Sequence, residues 1–314
     1  MRTLLLLLLA TPGAAFELSP PVACVLGQAC YIQQGFDHDP GPGARDALCG
    51  TLVYDGHDGT DFAVPTLADR AAGVAVVASA AGRVRAVRDG EPDIPQGRPD
   101  SPDVSGRECG NGVVLDHGGG WETQYCHLER GSVAVAPGDE VATGQVLGRI
   151  GLSGNTEFPH VELTVRRDGE AVDPFAPDAS GACGVRPAED LWAGDLPFPL
   201  GGVTDAGFAT AVPDYGAVRA GTADAAPSAS EPLVLFALLF GGQAGDAVSL
   251  RIEGPPGLVL DREEPLERTQ ALLFRAAGLR APAEGWPSGD YRGTARLLRD
   301  GAVVEERALT ARLP

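Results

Sequence analysis

The chain contains no lysine. All 24 of its basic residues are arginine, they face 43 acidic residues, and the formal net charge is −19. A surface so short of positive charge repels polyphosphate, which argues against nucleic acid and against anionic membrane surfaces as partners. Methionine occurs once, at position 1. Long apolar runs are missing too: Leu4 to Ala10 is too short to span a bilayer and Leu233 to Phe240 is strand-sized, so no integral membrane span is expected. No two cysteines stand in C-x2-C spacing, which weighs against a cysteine-held metal. Gly138, Gly144 and Gly148 lack the lysine and helix of a phosphate-binding loop and are read as turn residues. No segment of residues 51–178 sustains a 3.6-residue period, which leaves a mostly β domain.

What is present begins at the N-terminus. Met1-Arg2-Thr3, the apolar run Leu4 to Ala10 and the small-residue end Thr11-Pro12-Gly13-Ala14-Ala15 read as a secretory signal peptide over 1–15, cut after Ala15. No cysteine follows directly, which disfavours a lipid anchor. The expected location is therefore exported, periplasmic or secreted. Cys24, Cys30, Cys49, Cys109, Cys126 and Cys183 form an even set that fits disulfides in an oxidising compartment. Six cysteines allow fifteen pairings; one local expectation is Cys109 with Cys126, which flank a predicted hairpin.

Composition divides the remainder. Residues 16–50 are rich in Cys, Pro and Gly and read as an irregular, stapled segment. Residues 51–178 carry short β signals: Val74 to Ala81, Gly82 to Val87, a hairpin of Gly112–Asp116 and Trp121–His127 around His117-Gly118-Gly119-Gly120, a turn-rich unit over 133–148, and an alternating run from Pro159 to Arg166. Residues 89–107 read as an insertion loop. Gly, Ala, Pro, Asp and Ser dominate 179–229, which reads as linker. From 230 to 314, apolar runs at Leu233–Phe240, Ala247–Ile252, Thr269–Phe274, Gly289–Leu298 and Val303–Leu313 suggest a β-sandwich.

Three of the five histidines fall in ordered motifs between residues 57 and 162: His57-Asp58-Gly59-Thr60-Asp61, Tyr125-Cys126-His127-Leu128 and His160-Val161-Glu162. On a strand, His160 and Glu162 share one face. Imidazole and carboxylate are ligands that zinc accepts, and a catalytic zinc keeps three protein ligands and an open position. His57 and Asp61, with Gly59 giving the backbone room between them, form one half of such a site. Glu162 is the natural third ligand, His160 can reach a water, and His127 can come alongside. In isolation, His57 and Asp61 would more often be a solvated turn pair. His38, between Asp37 and Asp39, is either an extra ligand, a plug over the site, or a loop residue held by carboxylates. His117 is read as a hairpin-end residue, and Tyr125 and Trp121 as sheet packing.

These motifs resemble the LytM-type, lysostaphin-like zinc peptidases of family M23, which carry H-x-G-x-D, a Tyr-x-His-Leu strand, a glycine-rich hairpin and H-x-H in that order. The counterpart of the hairpin is Val135 to Gly148, followed by Gly151-Leu152-Ser153-Gly154. The resemblance covers roughly residues 50–178. It implies an antiparallel β-groove domain, one zinc ion, His57 and Asp61 as ligands, and His127 and His160 as catalytic groups. This chain departs from the family at Glu162, where the third ligand is histidine. Two carboxylates and one imidazole would neutralise Zn²⁺, and a less positive centre acidifies water less. The end of the chain, from Ser288-Gly289-Asp290-Tyr291 through the strands around Asp300-Gly301, loosely resembles immunoglobulin-like accessory modules. The implied activity is hydrolysis of peptidoglycan cross-link peptides by a metal-activated water. The alternatives are a LytM-like protein that binds and regulates a cell-wall amidase, and a secreted binding protein with vestigial histidines.

Overall fold

The computed structural model describes residues 16–178, 183 and 190–313. The expected signal peptide, 1–15, lies outside the described residues. The described chain is built almost wholly of antiparallel strands. None of its helices is long and apolar enough to cross a membrane.

The first unit contains β1 (Tyr31–Gln34), β2 (Thr60–Ala63), a short helix α1 (Leu67–Ala72), β3 (Ala75–Val77), β4 (Gly82–Arg88), β5 (Asn111–Gly118), β6 (Trp121–Leu128), β7 (Glu140–Val141), β8 (Val146–Arg149), β9 (His160–Arg167) and β10 (Glu170–Val172). Its main sheet runs β1-β2-β9-β6-β5-β4-β7, with β10 paired to β9, and β3 and β8 form a separate ribbon. The hairpin expected around residues 117–120 is β5–β6. Its turn takes positive φ at Gly118, Gly119 and Gly120, a conformation side-chain-bearing residues adopt at a cost. The period of two then sorts the side chains. On β9, Val161, Leu163 and Val165 enter the core, so His160, Glu162 and Thr164 lie on the opposite face. On β2, Phe62 joins the core opposite Val161, and Asp61 stands opposite Glu162.

The second unit is a sandwich. β11 (Gly202–Ala209), α2 (Tyr215–Ala220), β12 (Leu233–Gly242), β13 (Ala247–Gly254), β14 (Gly257–Pro265), β15 (Gln270–Leu279), β16 (Gly289–Arg299) and β17 (Ala302–Leu313) form sheets ordered β11-β12-β15 and β14-β13-β16-β17. Phe208, Leu235 and Leu239 of one sheet meet Leu250, Ile252, Tyr291 and Leu297 of the other. All ten residues of β12 are buried because both of its faces are covered. Leu233, Leu235 and Leu239 face the sandwich core, while Val234, Phe236 and Leu238 pack with Val218 of α2.

Three segments differ from the sequence expectation. The stretch 179–229 is not linker throughout: it contributes β11, an edge strand of the sandwich, and α2. Gly202, Gly207 and Asp205 hide β11 from composition; a register shift between Val203 and Asp205 interrupts its alternation, and Gly207 lets the Phe236 ring and the Asp224 carboxylate approach. β14 escaped notice because it is an edge strand carrying Asp261, Arg262, Glu263 and Glu264, charges that protect an open edge but obscure an apolar pattern. The stapled segment 16–50 supplies β1.

Three disulfides close the described chain: Cys24–Cys30, Cys49–Cys183 and the expected Cys109–Cys126.

Candidate metal centre and active-site cavity

The five residues singled out by motif converge. β2 presents Asp61, the turn before it His57, the end of β6 His127, and β9 both His160 and Glu162. His57 Nε2 lies 3.2 Å from Asp61 Oδ1 and 3.7 Å from Glu162 Oε1. His160 Nε2 is 3.5 Å from Asp61 Oδ1, and His127 Nε2 is 3.2 Å from Glu162 Oε2. Gly59 makes this possible: a Cβ there would lie 2.8 Å from Glu162 Cγ.

Backbone carbonyls set the tautomers. His57 Nδ1 is 2.6 Å from Gly35 O, His127 Nδ1 2.8 Å from Ser153 O, and His160 Nδ1 2.9 Å from Phe158 O. A carbonyl only accepts, so each Nδ1–H donates and each neutral ring turns an Nε2 lone pair inward. Three lone pairs and two carboxylates therefore face one another with no arginine among them. Like-charged carboxylates placed directly across strands repel. His57 Nε2 and Asp61 Oδ1 are buried and make no hydrogen bond. Such a cluster needs protons or a cation at its centre.

The protons partition accordingly. Burial disfavours a charged His57, but Asp61, Glu162 and the Gly35 carbonyl together outweigh it and push the ring up to about 9. Burial works the same way on His127, and Glu162 more than offsets it, so this ring also rises. At His160 burial prevails over Asp61, with His127 adding to it, and the pKa falls to about 4. Asp61 and Glu162 are held below the ordinary carboxylate range despite burial, Asp61 by His57 and His160, Glu162 by His127. Without metal the centre thus holds two ion pairs and one neutral imidazole.

The donors suit zinc. Bonds of about 2.0–2.1 Å in a tetrahedron place neighbouring donors roughly 3.3 Å apart. The 3.2 Å edge from His57 to Asp61 meets this spacing, and the 3.7 Å edge to Glu162 is wider. Among the described residues, no group of three or more His, Cys, Asp and Glu side chains is drawn together as a metal-binding set. What fits a cation is the chemistry of the donor set: a carbonyl holds Nδ1 of each ring, and His57 Nε2 and Asp61 Oδ1 are buried without a hydrogen bond, while Glu162 stands farther off.

The centre opens into a cavity of about 490 Å³ whose lining includes Asp61, His127 and His160 together with Gln33, Gln34, Tyr54, Thr156, the carboxylate-bearing Glu157, Phe158, Tyr215, Arg219 and Leu272. A cavity of about 510 Å³ lies away from the histidines, between Tyr31, Leu196, Phe240 and Val304. Sequence patterning did not mark Tyr54, which stacks on His57 at 4.5 Å, although its place three residues before His57 was a usable hint. Nor did it mark Gln33 and Gln34, which place the 16–50 segment in the cavity wall, or Gly35, whose carbonyl holds His57 Nδ1. His38 is not at the centre. It pairs with Asp173 at 2.7 Å in a buried contact, so its carboxylate is not one of its chain neighbours. His117 closes the β5–β6 hairpin end against Ala81 O and Thr123 Oγ1. Tyr125 is core and bonds Ser79 N, and Trp121 stacks on Phe16.

Fold and site define an antiparallel β-groove domain with a buried histidine–carboxylate centre. Residues 55–174 match the sequence model of Peptidase family M23, and this part of the chain is an M23 peptidase domain. The chain is 36% identical over 67 residues to the DD-carboxypeptidase/endopeptidase Mpg of Neisseria meningitidis serogroup B, a match covering 21% of this chain and 15% of that protein. Among solved structures, a zinc containing peptidase from Vibrio cholerae is 26% identical, with 51% of this chain and 39% of that one covered and a TM-score of 0.34. The catalytic domain of lysostaphin from Staphylococcus simulans is 21% identical, covering 45% and 85%, with a TM-score of 0.30.

Proposed function

We propose that this protein is an exported zinc metalloendopeptidase that hydrolyses peptidoglycan cross-link peptides. The observation that carries this reading is the convergence of three imidazole Nε2 atoms, each aimed inward by a carbonyl at its Nδ1, on the buried Asp61 and the partly buried Glu162 carboxylates. His57, Asp61 and Glu162 would hold the ion. When bound, zinc supplies Lewis acidity, acidifying water and polarising a carbonyl. His160, neutral with its Nε2 lone pair turned inward, is the proton acceptor. His127, kept protonated by Glu162, offers an N–H to negative charge developing on the attacked carbonyl oxygen. Substrate class is supported by kinship with the peptidase family, and export to the periplasm or beyond by the N-terminal segment and the paired cysteines. The second unit, with seven antiparallel strands in two sheets, is proposed as an immunoglobulin-like accessory module.

The test is metal analysis of purified protein followed by muropeptide digestion with wild type and His160→Ala. One zinc per chain and cleavage abolished by His160→Ala are expected; protein without stoichiometric zinc sinks the reading. The wide Glu162 edge and the neutral charge of the ligand set favour one rival, a zinc-loaded but non-hydrolysing partner of a cell-wall amidase. Zinc without any cleavage would select it.

A further inference from the structure

The cavity above the histidines is walled partly by the second unit. α2 contributes Tyr215 and Arg219, and β15 contributes Leu272. Arg219 is the sole arginine among the described residues of this lining, in a chain of net charge −19. Its guanidinium is already oriented: it donates to Glu157 O at 2.7 Å and lies 5.8 Å from the centroid of the Tyr215 ring. Among the described residues no carboxylate lies within ion-pair distance of it, so most of its five donor hydrogens are uncommitted.

Charge gives this placement a role. A divalent ion held by one imidazole and two carboxylates forms a centre with no net charge, which exerts little pull on an anionic peptide, and the rest of the surface repels one. Attraction must come from another group facing the same cavity. An arginine fork is suited to this because it meets a carboxylate with two parallel N–H donors.

We propose that Arg219 is a substrate-binding residue that anchors a carboxylate of the bound peptide, so that the second unit takes part in choosing the substrate. The proposal rests on the peptidase reading for the substrate being a peptide, but the binding it asserts does not require turnover. The carboxylate is either the C-terminus of the peptide or an acidic side chain within it. Both present the same chemistry to the guanidinium.

The experiment measures binding by calorimetry to metal-stripped full-length protein, where no cleavage occurs. Three forms of one synthetic cross-link peptide are compared: unmodified, with its C-terminal carboxylate amidated, and with its side-chain carboxylates amidated. Arg219→Gln keeps a donor for Glu157 O and removes the charge; Arg219→Lys keeps the charge and loses the fork. The unmodified peptide is expected to bind Arg219→Gln about tenfold more weakly than wild type and Arg219→Lys in between. One of the two amidated peptides is expected to bind wild type and Arg219→Gln equally, which identifies the carboxylate. Equal binding of all three peptides to wild type, a uniform loss across peptides in Arg219→Gln, or no binding of the unmodified peptide to wild type would each overturn the proposal. A zinc-loaded protein that never cleaves, yet shows the Arg219 dependence, would overturn the peptidase reading and leave this site standing.

Discussion

Glu162 Oε2 and His127 Nε2 meet at 3.2 Å across the β9–β6 pair, where Glu162 stands opposite Cys126. The other oxygen of the same carboxylate faces His57. In the proposed site one side chain would thus serve the metal side of the centre and hold the charge of the His127 imidazole. These two duties conflict, because electron density given to a metal is withdrawn from His127.

Glu162 is therefore the residue whose replacement is most informative. Glu162→Gln keeps the shape and removes the charge, and is expected to weaken zinc binding by about 100-fold, the upper range for losing a group that tunes a metal site. Glu162→His restores two imidazoles and one carboxylate, leaving a net positive centre. It is expected to cleave muropeptides faster than wild type by about tenfold, with zinc retained. Turnover and bound zinc measured side by side check both; slower turnover at full zinc occupancy would refute the charge argument.

With His57 as a zinc ligand, as proposed, zinc and the His57 proton would compete for one lone pair. With the ring pushed up to about 9, zinc must displace a proton throughout the neutral range. Apparent zinc affinity is expected to rise about tenfold per pH unit and to level off above about pH 9. Stability of the metal-free protein runs the other way. A raised histidine contributes fully below its unfolded value of 6.5, and this is lost as pH climbs through about 9. The depressed Asp61 contributes above its unfolded value of 3.8, and this is lost as pH falls through its folded one. His160, pushed down to about 4, contributes above its unfolded value of 6.5 and loses this as pH falls through about 4, so thermal unfolding of stripped protein should be highest near pH 6.5 and fall toward both pH 4 and about pH 10. A melting temperature that climbs from pH 6.5 to 9.5 would contradict the assignment.

His127 takes a φ of 63°, the left-handed region, where a side-chain-bearing residue is uncommon. Its neighbour Cys126 is bonded to Cys109, and its own N–H donates to Cys109 O at 2.8 Å. The disulfide thus holds the backbone that aims the His127 ring, the group proposed to meet the developing negative charge. Replacing both cysteines with serine removes a crosslink spanning 17 residues, which is expected to lower stability by about 3 kcal/mol. It should also reduce kcat more than it raises KM, because the ring loses its aim while the cavity wall stays. Denaturant unfolding and steady-state kinetics of the double variant check the two effects separately.

The order of the histidine motifs was legible in the sequence because each lies on a local element, and a local element keeps its spacing. The β5–β6 hairpin was legible through its three glycines, and β12 through its unbroken apolar run. Other features depend on elements distant along the chain. Glu162 contacts His127 because β9 lies beside β6 in one register, and the tautomers depend on the carbonyls of Gly35, Ser153 and Phe158, which no side-chain pattern reports. β11 and β14 were missed because glycine and charge mask edge strands. Arg219 reaches the cavity only through the packing of α2, and its neighbours Tyr215 and Ala220 carry no motif.

The same long-range packing predicts that the chain does not divide at residue 178. Trp192 is buried against Phe62 and Phe175, with ring centroids 5.9 and 5.3 Å away, and it forms a bridge with Leu18. Phe198 stacks edgewise on Phe175, Phe240 lies 4.7 Å from Tyr31, and Cys183 is bonded to Cys49. These aromatic groups beyond residue 178 belong to the core of the first unit. Losing one buried tryptophan or phenylalanine costs about 3–5 kcal/mol, and domains of ordinary stability hold about 5–15 kcal/mol in all. A chain of residues 16–178 is thus expected to lack a cooperative unfolding transition, and Trp192→Ala in the full chain to lose about 3–5 kcal/mol. Calorimetry distinguishes the outcomes: a sharp transition for residues 16–178 would show that the M23 domain is sufficient by itself, and that the aromatic groups of the second half merely cover a core already closed.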